Sequence, residues 1–270
     1  MRKIRFGIIG VGRLGYEHAC NLANRIPTAA LVAVCDGNEK RAREVAQELG
    51  VSSVYTDPAK LCADPEVEAV AIVTNTASHV DMIRIAMDAG KHVFCEKPLA
   101  ETVEKCREAE KIIEGHPELI FMLGFMRRFD YSYEVVKKKI ENGDIGDLIL
   151  VRSYSQDPRS IIEGTLDYAP RSGGQFIDMS IHDIDLIRWQ TGSEPEKMWA
   201  VGGCYEFPQY KKWDDGDNVS CLMQMKNQVM AFFFAGRTAA HGSAVETEVI
   251  GTKGMLRIGS PCRKSSFRGM

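Results

Sequence analysis

The 270 residues predict an α/β chain: a doubly wound parallel sheet in the first half, then an α+β region on a mostly antiparallel or mixed sheet. Three observations predict it. Up to about residue 125, short β-branched runs alternate with amphipathic helical runs, the pattern of βαβ units. A glycine-rich turn separates the first strand from the first helix. Beyond that point strand-like runs follow one another with few helices between them. A prior of roughly 150 residues per domain agrees with two domains, and the change of rhythm sets them at 1–124 and 125–270.

In order, "IRFGIIG" (4–10) reads as a buried strand and is followed by a helix from Gly12 to Asn24. "ALVAVCD" (30–36) is the second strand, and "EKRAREVAQELG" (39–50) is a helix with Ala42, Val45, Ala46 and Leu49 on its apolar face. A short strand near Val54, then "VEAVAIVTN" (67–75), a helix over 78–89, "KHVFCEKP" (91–98), a helix to Glu114 and "LIFMLGF" (119–125) complete a six-stranded sheet. The second half opens with a helix over 131–141 and the strand "DLILVRSYSQ". A helix through "GGQFIDMSIHDIDLIRW" (173–189) precedes five strand-like runs, two of them joined by a turn at "KNQ" (226–228).

Composition excludes several classes of function. The chain is 44% hydrophobic and 26% charged, as an ordinary globular protein is. Its net charge of -3 and its lack of a basic stripe argue against nucleic acid or an anionic membrane as partner. No apolar run approaches the roughly 18 residues of a membrane span, and glycines break the opening "MRKIRFGIIG" too early for a signal peptide. Eight dispersed cysteines without a CxxC pair fit free thiols in a reducing compartment, the cytoplasm, and no metal site is expected.

Gly10-x-Gly12-x-x-Gly15, with Arg13 and Leu14 in the same loop, stands between a strand and a helix, where glycines let backbone approach a pyrophosphate. The helix N-terminus behind them favours anions. Asp36 ends the second strand about 20 residues on, where a carboxylate accepts the hydroxyls of an adenosine ribose. A carboxylate there repels a 2′-phosphate, so NAD is expected over NADP. Thr74, Asn75 and His79 lie where the fourth strand ends, beneath the expected nicotinamide ribose; Ser78 reads equally as an N-cap and His79 as a surface residue.

At "CEKP", Pro98 keeps Lys97 extended and delivers its ammonium to the carboxyl edge of the sheet, where it is either solvated or functional. On one continuous helix, Asp178, His182 and Asp185 fall within about 60° of one another, beside a stripe of Ile177, Ile181 and Ile184, with Asp183 opposite. "SGGQ" supplies Ser172 and Gln175 as a capping box. Asp-x3-His-x2-Asp admits a metal site, a carboxylate and imidazole general base, or a purely structural polar ridge.

Taken together, the glycine loop, Asp36, "EKP" and "GGQFIDMSIHDID" resemble the Gfo/Idh/MocA family of NAD(P)-dependent oxidoreductases over about residues 4–259. Within it, "GFMRRFD", "SYSQDP" and "VETEVIGTKGMLRIG" are most similar to the inositol 2-dehydrogenases, and "SQDP", "GRTAAHG" and "GDNV" to the branch that oxidises scyllo-inositol. The resemblance implies a Rossmann NAD-binding domain and oxidation of a cyclic polyol, myo- or scyllo-inositol, to its keto form. It implies Lys97, Asp178 and His182 as the catalytic set: His182 takes the hydroxyl proton, Lys97 holds that oxygen, and Asp178 orients the polyol and tunes Lys97. Asp185 then positions His182, Arg127 and Gln156 donate to polyol hydroxyls, and Glu96 contacts the nicotinamide ribose. Alternatives are an NAD-dependent glycoside hydrolase of the same family, separated by net turnover of NAD, or a non-catalytic NAD-binding relative.

A homo-oligomer, dimer or tetramer, is expected because the "AFFFAG" strand leaves a sheet face needing cover. The ending "SPCRKSSFRGM" has neither strand nor helix period and departs from the family's further strand and terminal helix, so it is expected to be a truncated or aberrant end.

Overall fold

The structure, a computed structural model, describes residues 2–259. The expected aberrant tail lies outside the described residues. Contacts divide the chain into Met1–Gly124 and Phe125–Met270.

The first unit runs β1 (Ile4–Ile9), α1 (Arg13–Cys20), β2 (Ala29–Cys35), α2 (Glu39–Leu49), β3 (Ser53–Tyr55), α3 (Pro58–Ala63) and β4 (Ala69–Ile72). It continues with α4 (His79–Asp88), β5 (His92–Cys95), α5 (Val103–Glu114) and β6 (Phe121–Leu123). The six strands form one parallel sheet in the order β3-β2-β1-β4-β5-β6. Strands buried on both faces read as continuous apolar runs: Ala69, Val70, Ala71 and Ile72 are all buried. Two cores result, one with Ile72, Ile83 and Met87, the other with Ile8, Val34 and Val45.

Three details differ from the sequence expectation. The first helix stops at Cys20 and passes through a π turn at Asn21–Arg25, so it is shorter than Gly12 to Asn24. The helix α3, capped by the Asp57 side chain with Pro58 at its first turn, escaped notice because six residues are too few to show a period. The fifth strand ends at Cys95, leaving Glu96 and Lys97 beyond it.

The second unit contains α6 (Tyr131–Glu141), β7 (Leu148–Pro158), α7 (Ile162–Tyr168), α8 (Gln175–Asp178), α9 (Ile181–Thr191), β8 (Pro195–Gly203), β9 (Asn218–Met225), β10 (Met230–Ala239), β11 (Ala244–Gly251) and β12 (Met255–Gly259). Its sheet has the order β12-β11-β7-β10-β9-β8, with β7 and β10 parallel and the other neighbours antiparallel, the mixed sheet expected. Gln228, at φ 69, makes the tight turn between β9 and β10. Alternate residues Ala231, Phe233 and Ala235 of β10 join Cys221, Met223, Val249 and Ile187 in the core. The opposite face carries Trp199, Leu222 and Phe232 in register across β8, β9 and β10. Trp199 is 67% exposed there and Leu222 52%.

Candidate active site

At the first sheet, strand ends gather along one carboxyl edge: Gly10 N–H donates to the Cys35 carbonyl, Val73 N–H to Ile9, and Glu96 N–H to Ile72. Strand order reverses between β1 and β4, the position where ligands of doubly wound sheets bind. The three glycines have three physical reasons. Gly10 has φ 89, and a Cβ there would lie 2.5 Å from the Val73 carbonyl oxygen. A Cβ on Gly15 would collide with the Gly10 carbonyl, so the third glycine lets α1 close on the turn. A Cβ on Gly12 would meet nothing within 4 Å, so its bare backbone faces space that a pyrophosphate can fill. The helix α1 starts there with no side-chain cap and no acidic residue in its first turn, which leaves its N–H groups to an anion.

Asp36 follows β2. Its Oδ2 accepts from Val11 N–H at 2.9 Å and its Oδ1 from Asn38 N–H at 2.8 Å, which fixes the carboxylate against the loop. Each oxygen retains a second lone pair for a ribose hydroxyl. Arg13 and Leu14 are exposed at the head of α1. Arg41, which sequence reasoning passed over, donates to the Val11 carbonyl at 2.9 Å and ties the loop to α2. These residues fit a dinucleotide.

Past β4, Thr74 accepts from the Ser78 hydroxyl at 2.8 Å and Asn75 is exposed. Ser78 occupies the cap position of α4 but makes no side-chain cap bond. His79 corrects the expectation of a surface residue. It is buried rather than on the surface, with Nδ1 2.8 Å from the Pro98 carbonyl and Nε2 3.3 Å from that of Thr74. Burial holds the imidazole below its usual pKa, against the pull of those two carbonyls, and the neutral ring has one N–H to donate, for which the Pro98 carbonyl offers the shorter bond. Glu96 is engaged at both oxygens: Oε1 lies 2.9 Å from Nε2 of His18, and Oε2 accepts from Lys97 N–H at 3.1 Å. Lys97, half-buried, lies one residue further on, before a cis peptide bond to Pro98.

In the second unit the expected single helix is two. Gly173 and Gly174 both take positive φ (77 and 85), so the chain turns where a capping box was expected. The cap is supplied by Asp215, whose Oδ1 accepts from Gln175 N–H at 2.8 Å, while the Ser172 hydroxyl takes the Gly174 N–H. Helix α8 ends at Asp178, Ser180 N–H reaches back five residues to the Gln175 carbonyl, and α9 begins at Ile181. The break at Met179 and Ser180 thus interrupts the single continuous helix on which Asp178, His182 and Asp185 were expected to share a ridge.

Asp183 and Asp185 face inward. Asp183, fully buried, accepts from Arg127 at 2.7 Å, Ser153 at 2.6 Å and Ser155 at 2.7 Å, all on Oδ1. Arg127 is buried, and its other terminal nitrogen donates to Ser155 at 2.6 Å, so two of its three nitrogens are engaged within the protein. Asp185 accepts two bonds from Arg128, at 2.8 and 2.6 Å. Gln156 is half-buried near the end of β7.

Asp178 and His182 flank the helix break, at the last residue of α8 and the second of α9. The His182 ring packs edge-on against Phe125, with centroids 6.5 Å apart. Asp178 Oδ2 accepts from the Tyr168 hydroxyl at 2.6 Å and from Arg237 at 2.9 Å. Sequence reasoning missed Arg237, Tyr168, Arg128 and Asp215. Arg237 had left a signal, a cation at an inward position of the alternating run "AFFFAGRTA".

Comparison with known proteins agrees with this architecture. Residues 4–125 match the model described as "Oxidoreductase family, NAD-binding Rossmann fold", and residues 133–257 the GFO/IDH/MocA C-terminal domain. The chain is 38% identical over 259 residues to scyllo-inositol 2-dehydrogenase (NAD(+)) of Bacillus subtilis, covering 96% of this chain and 74% of that one. It is 37% identical to myo-inositol 2-dehydrogenase of Thermotoga maritima, covering 94% and 74%. The crystal structure of scyllo-inositol dehydrogenase from Lactobacillus casei, with bound NAD(H) and scyllo-inositol, superposes with a TM-score of 0.90 at 44% identity, covering 95% of this chain and 76% of that one. The glycoside hydrolase alternative is not favoured by these likenesses. With both of its domains matched and its relatives this similar, the chain belongs to the GFO/IDH/MocA family of NAD-binding oxidoreductases.

Proposed function

We propose that this protein is an NAD-dependent dehydrogenase that oxidises one secondary hydroxyl of a cyclic polyol, scyllo- or myo-inositol, to the ketone. The observation that carries the reading is Asp178, a carboxylate fixed by Tyr168 and Arg237 at the end of α8, with the His182 imidazole opening α9. This stands in a chain whose first unit presents a backbone cradle for a dinucleotide and whose named relatives act on inositols.

Bound NAD supplies the hydride acceptor. The remaining work falls to the chain. His182 accepts the proton of the reacting hydroxyl, a task suited to an imidazole, whose unperturbed pKa of roughly 6.5 lies near neutrality. Lys97 donates to the same oxygen and stabilises the negative charge that grows on it as the proton leaves. Asp178 accepts from neighbouring hydroxyls and orients the ring. Gly10, Gly12, Gly15 and the N-terminus of α1 hold the pyrophosphate, and Asp36 holds the adenosine ribose and disfavours a 2′-phosphate. Gln156 is a donor to the polyol, and Thr74, Asn75 and Glu96 border the nicotinamide ribose.

The open face of the second sheet, with Trp199 and Leu222 exposed, is where a second copy of the chain associates. Buried free thiols at Cys35, Cys62, Cys95 and Cys221 support a cytoplasmic location. Among the described residues no helix is long and apolar enough to cross a membrane.

The test is NADH absorbance with purified protein, NAD and a panel of scyllo-inositol, myo-inositol and glucose, beside a Lys97→Ala control. Sustained NADH formation with an inositol, lost in the variant, is the expected result. No NADH with any polyol, despite NAD binding by calorimetry, sinks the reading.

A further inference from the structure

Helix α8 is a single turn, bounded by two positive-φ glycines on one side and a helix break on the other. One turn has too few hydrogen bonds to be stable by itself, so the place of Asp178 must be fixed from outside the helix. Arg237 lies where it can do this. Its guanidinium donates to Asp178 Oδ2 at the end of α8 (2.9 Å) and lies 3.6 Å from Oδ2 of Asp215, whose other oxygen caps Gln175 at the helix start. One guanidinium thus reaches both ends of the turn.

The base of this staple is rigid. Arg237 is 1% exposed, stands in β10, and lies over the ring of buried Tyr210 at 5.1 Å. Its own N–H donates to the carbonyl of Asp217, whose carboxylate gathers the N–H groups of Tyr205, Glu206 and Phe207. A second donor, the Tyr168 hydroxyl, meets the same Asp178 oxygen at 2.6 Å. Burial and the neighbouring Asp178 charge push that hydroxyl above its usual pKa, so it remains a donor. A buried arginine is costly unless it is paired, and the two carboxylates that offset this one are those that set the ends of α8.

We propose that Arg237, with Tyr168, is a positioning residue that fixes the ionised Asp178 carboxylate for substrate binding. The proposal rests on the reading in which Asp178 orients the polyol. Arg237 touches no reacting atom and acts through Asp178. Misplacing a catalytic group by about 1 Å costs on the order of 10²-fold, so changes at Arg237 register in turnover before they register in NAD affinity.

The experiment compares wild type, Arg237→Lys, Arg237→Gln, Tyr168→Phe and His182→Ala, measuring kcat and KM for scyllo-inositol and myo-inositol across pH, with NAD affinity by calorimetry. Expected are a loss of kcat of about 10- to 100-fold for Arg237→Gln, partial recovery in Arg237→Lys, and about 3- to 10-fold for Tyr168→Phe, all at wild-type NAD affinity. The acid limb of the kcat/KM profile should move to higher pH in Arg237→Gln, because Asp178 and Asp215 then face each other without their shared cation, beside Tyr168 and Tyr210. A merely structural arginine would not move that limb. If Arg237→Gln fails to fold, Tyr168→Phe decides, since Tyr168 is partly exposed and its ring is retained. Wild-type kcat and pH profile in Arg237→Lys and Tyr168→Phe, with His182→Ala inactive, overturn this inference and leave the dehydrogenase reading standing. A wild type that oxidises no inositol overturns that reading instead, and this inference with it.

Discussion

At the carboxyl edge of the first sheet the candidate cofactor cradle is largely main-chain: Gly10, Gly12 and Gly15 shape a turn, the Asp36 carboxylate is held against it by two N–H groups, and Arg41 braces it through the Val11 carbonyl. Beneath the second sheet the reverse holds. There Arg127, Asp183, Arg237, Asp178 and Asp215 are side-chain charges, mostly buried and answered by one another. The difference teaches where each half is vulnerable. A backbone site fails when a Cβ intrudes, whereas a buried network fails when one partner is removed and the other is left charged without compensation.

The largest effect should come from His182→Ala, which removes the proposed proton acceptor: kcat should fall by roughly 10³-fold while NAD affinity is kept, measured by turnover and calorimetry. Loss of NAD binding in that variant would break the separation between the two regions. Next, Arg127→Met leaves Asp183 buried and unpaired and should cost about 3–5 kcal/mol in chemical denaturation; a cost near zero would mean that the network contributes little. In the first unit, Gly15→Ala should cost about 3 kcal/mol, because the new Cβ meets backbone, whereas Gly12→Ala should leave the unfolding midpoint unchanged and weaken NAD binding about tenfold. Equal stability losses at the two glycines would contradict the open space assigned to Gly12.

The smallest effect is one of pH. Burial alone would raise the pKa of Asp217, but bonds from the N–H groups of Tyr205, Phe207 and Glu206 and from the Asn218 amide outweigh it and hold the carboxyl below its ordinary value. A carboxyl depressed on folding stabilises fully above the unfolded pKa of about 3.9, and that stability is lost as pH falls through the lower folded value. Asp217→Asn should therefore flatten the acid side of the stability profile below about pH 4. An unchanged profile would show that Asp217 does not contribute.

These contrasts also explain what was legible in the sequence. The glycine loop, Asp36 and the succession of strands and helices in the first half could be read because each depends on neighbours within one βαβ unit, where period and turn chemistry are local. In the second half, Tyr131–Glu141, the turn at 226–228 and the mixed sheet were legible for the same reason. Continuous helical geometry through 178–185 was not correct, since the helix is interrupted at Met179 and Ser180, and the start of α8 is set by the turn at Gly173 and Gly174 and by a cap from Asp215, 40 residues on. Nor could local spacing tell that Asp183 would be buried against Arg127, 56 residues earlier, or that His79 would be a buried tie. Buried charge pairs leave little trace beyond a charge out of phase with an apolar alternation, as at Arg237.

The most direct test of the account is the fate of the carbon-bound hydrogen. Protein, NAD and scyllo-inositol or myo-inositol deuterated at its ring carbons should give reduced cofactor carrying one deuterium together with the keto-inositol, followed by mass spectrometry. Reduced cofactor that carries no deuterium, or no reduced cofactor from either inositol while NAD remains bound, would contradict hydride transfer as the chemistry of this chain.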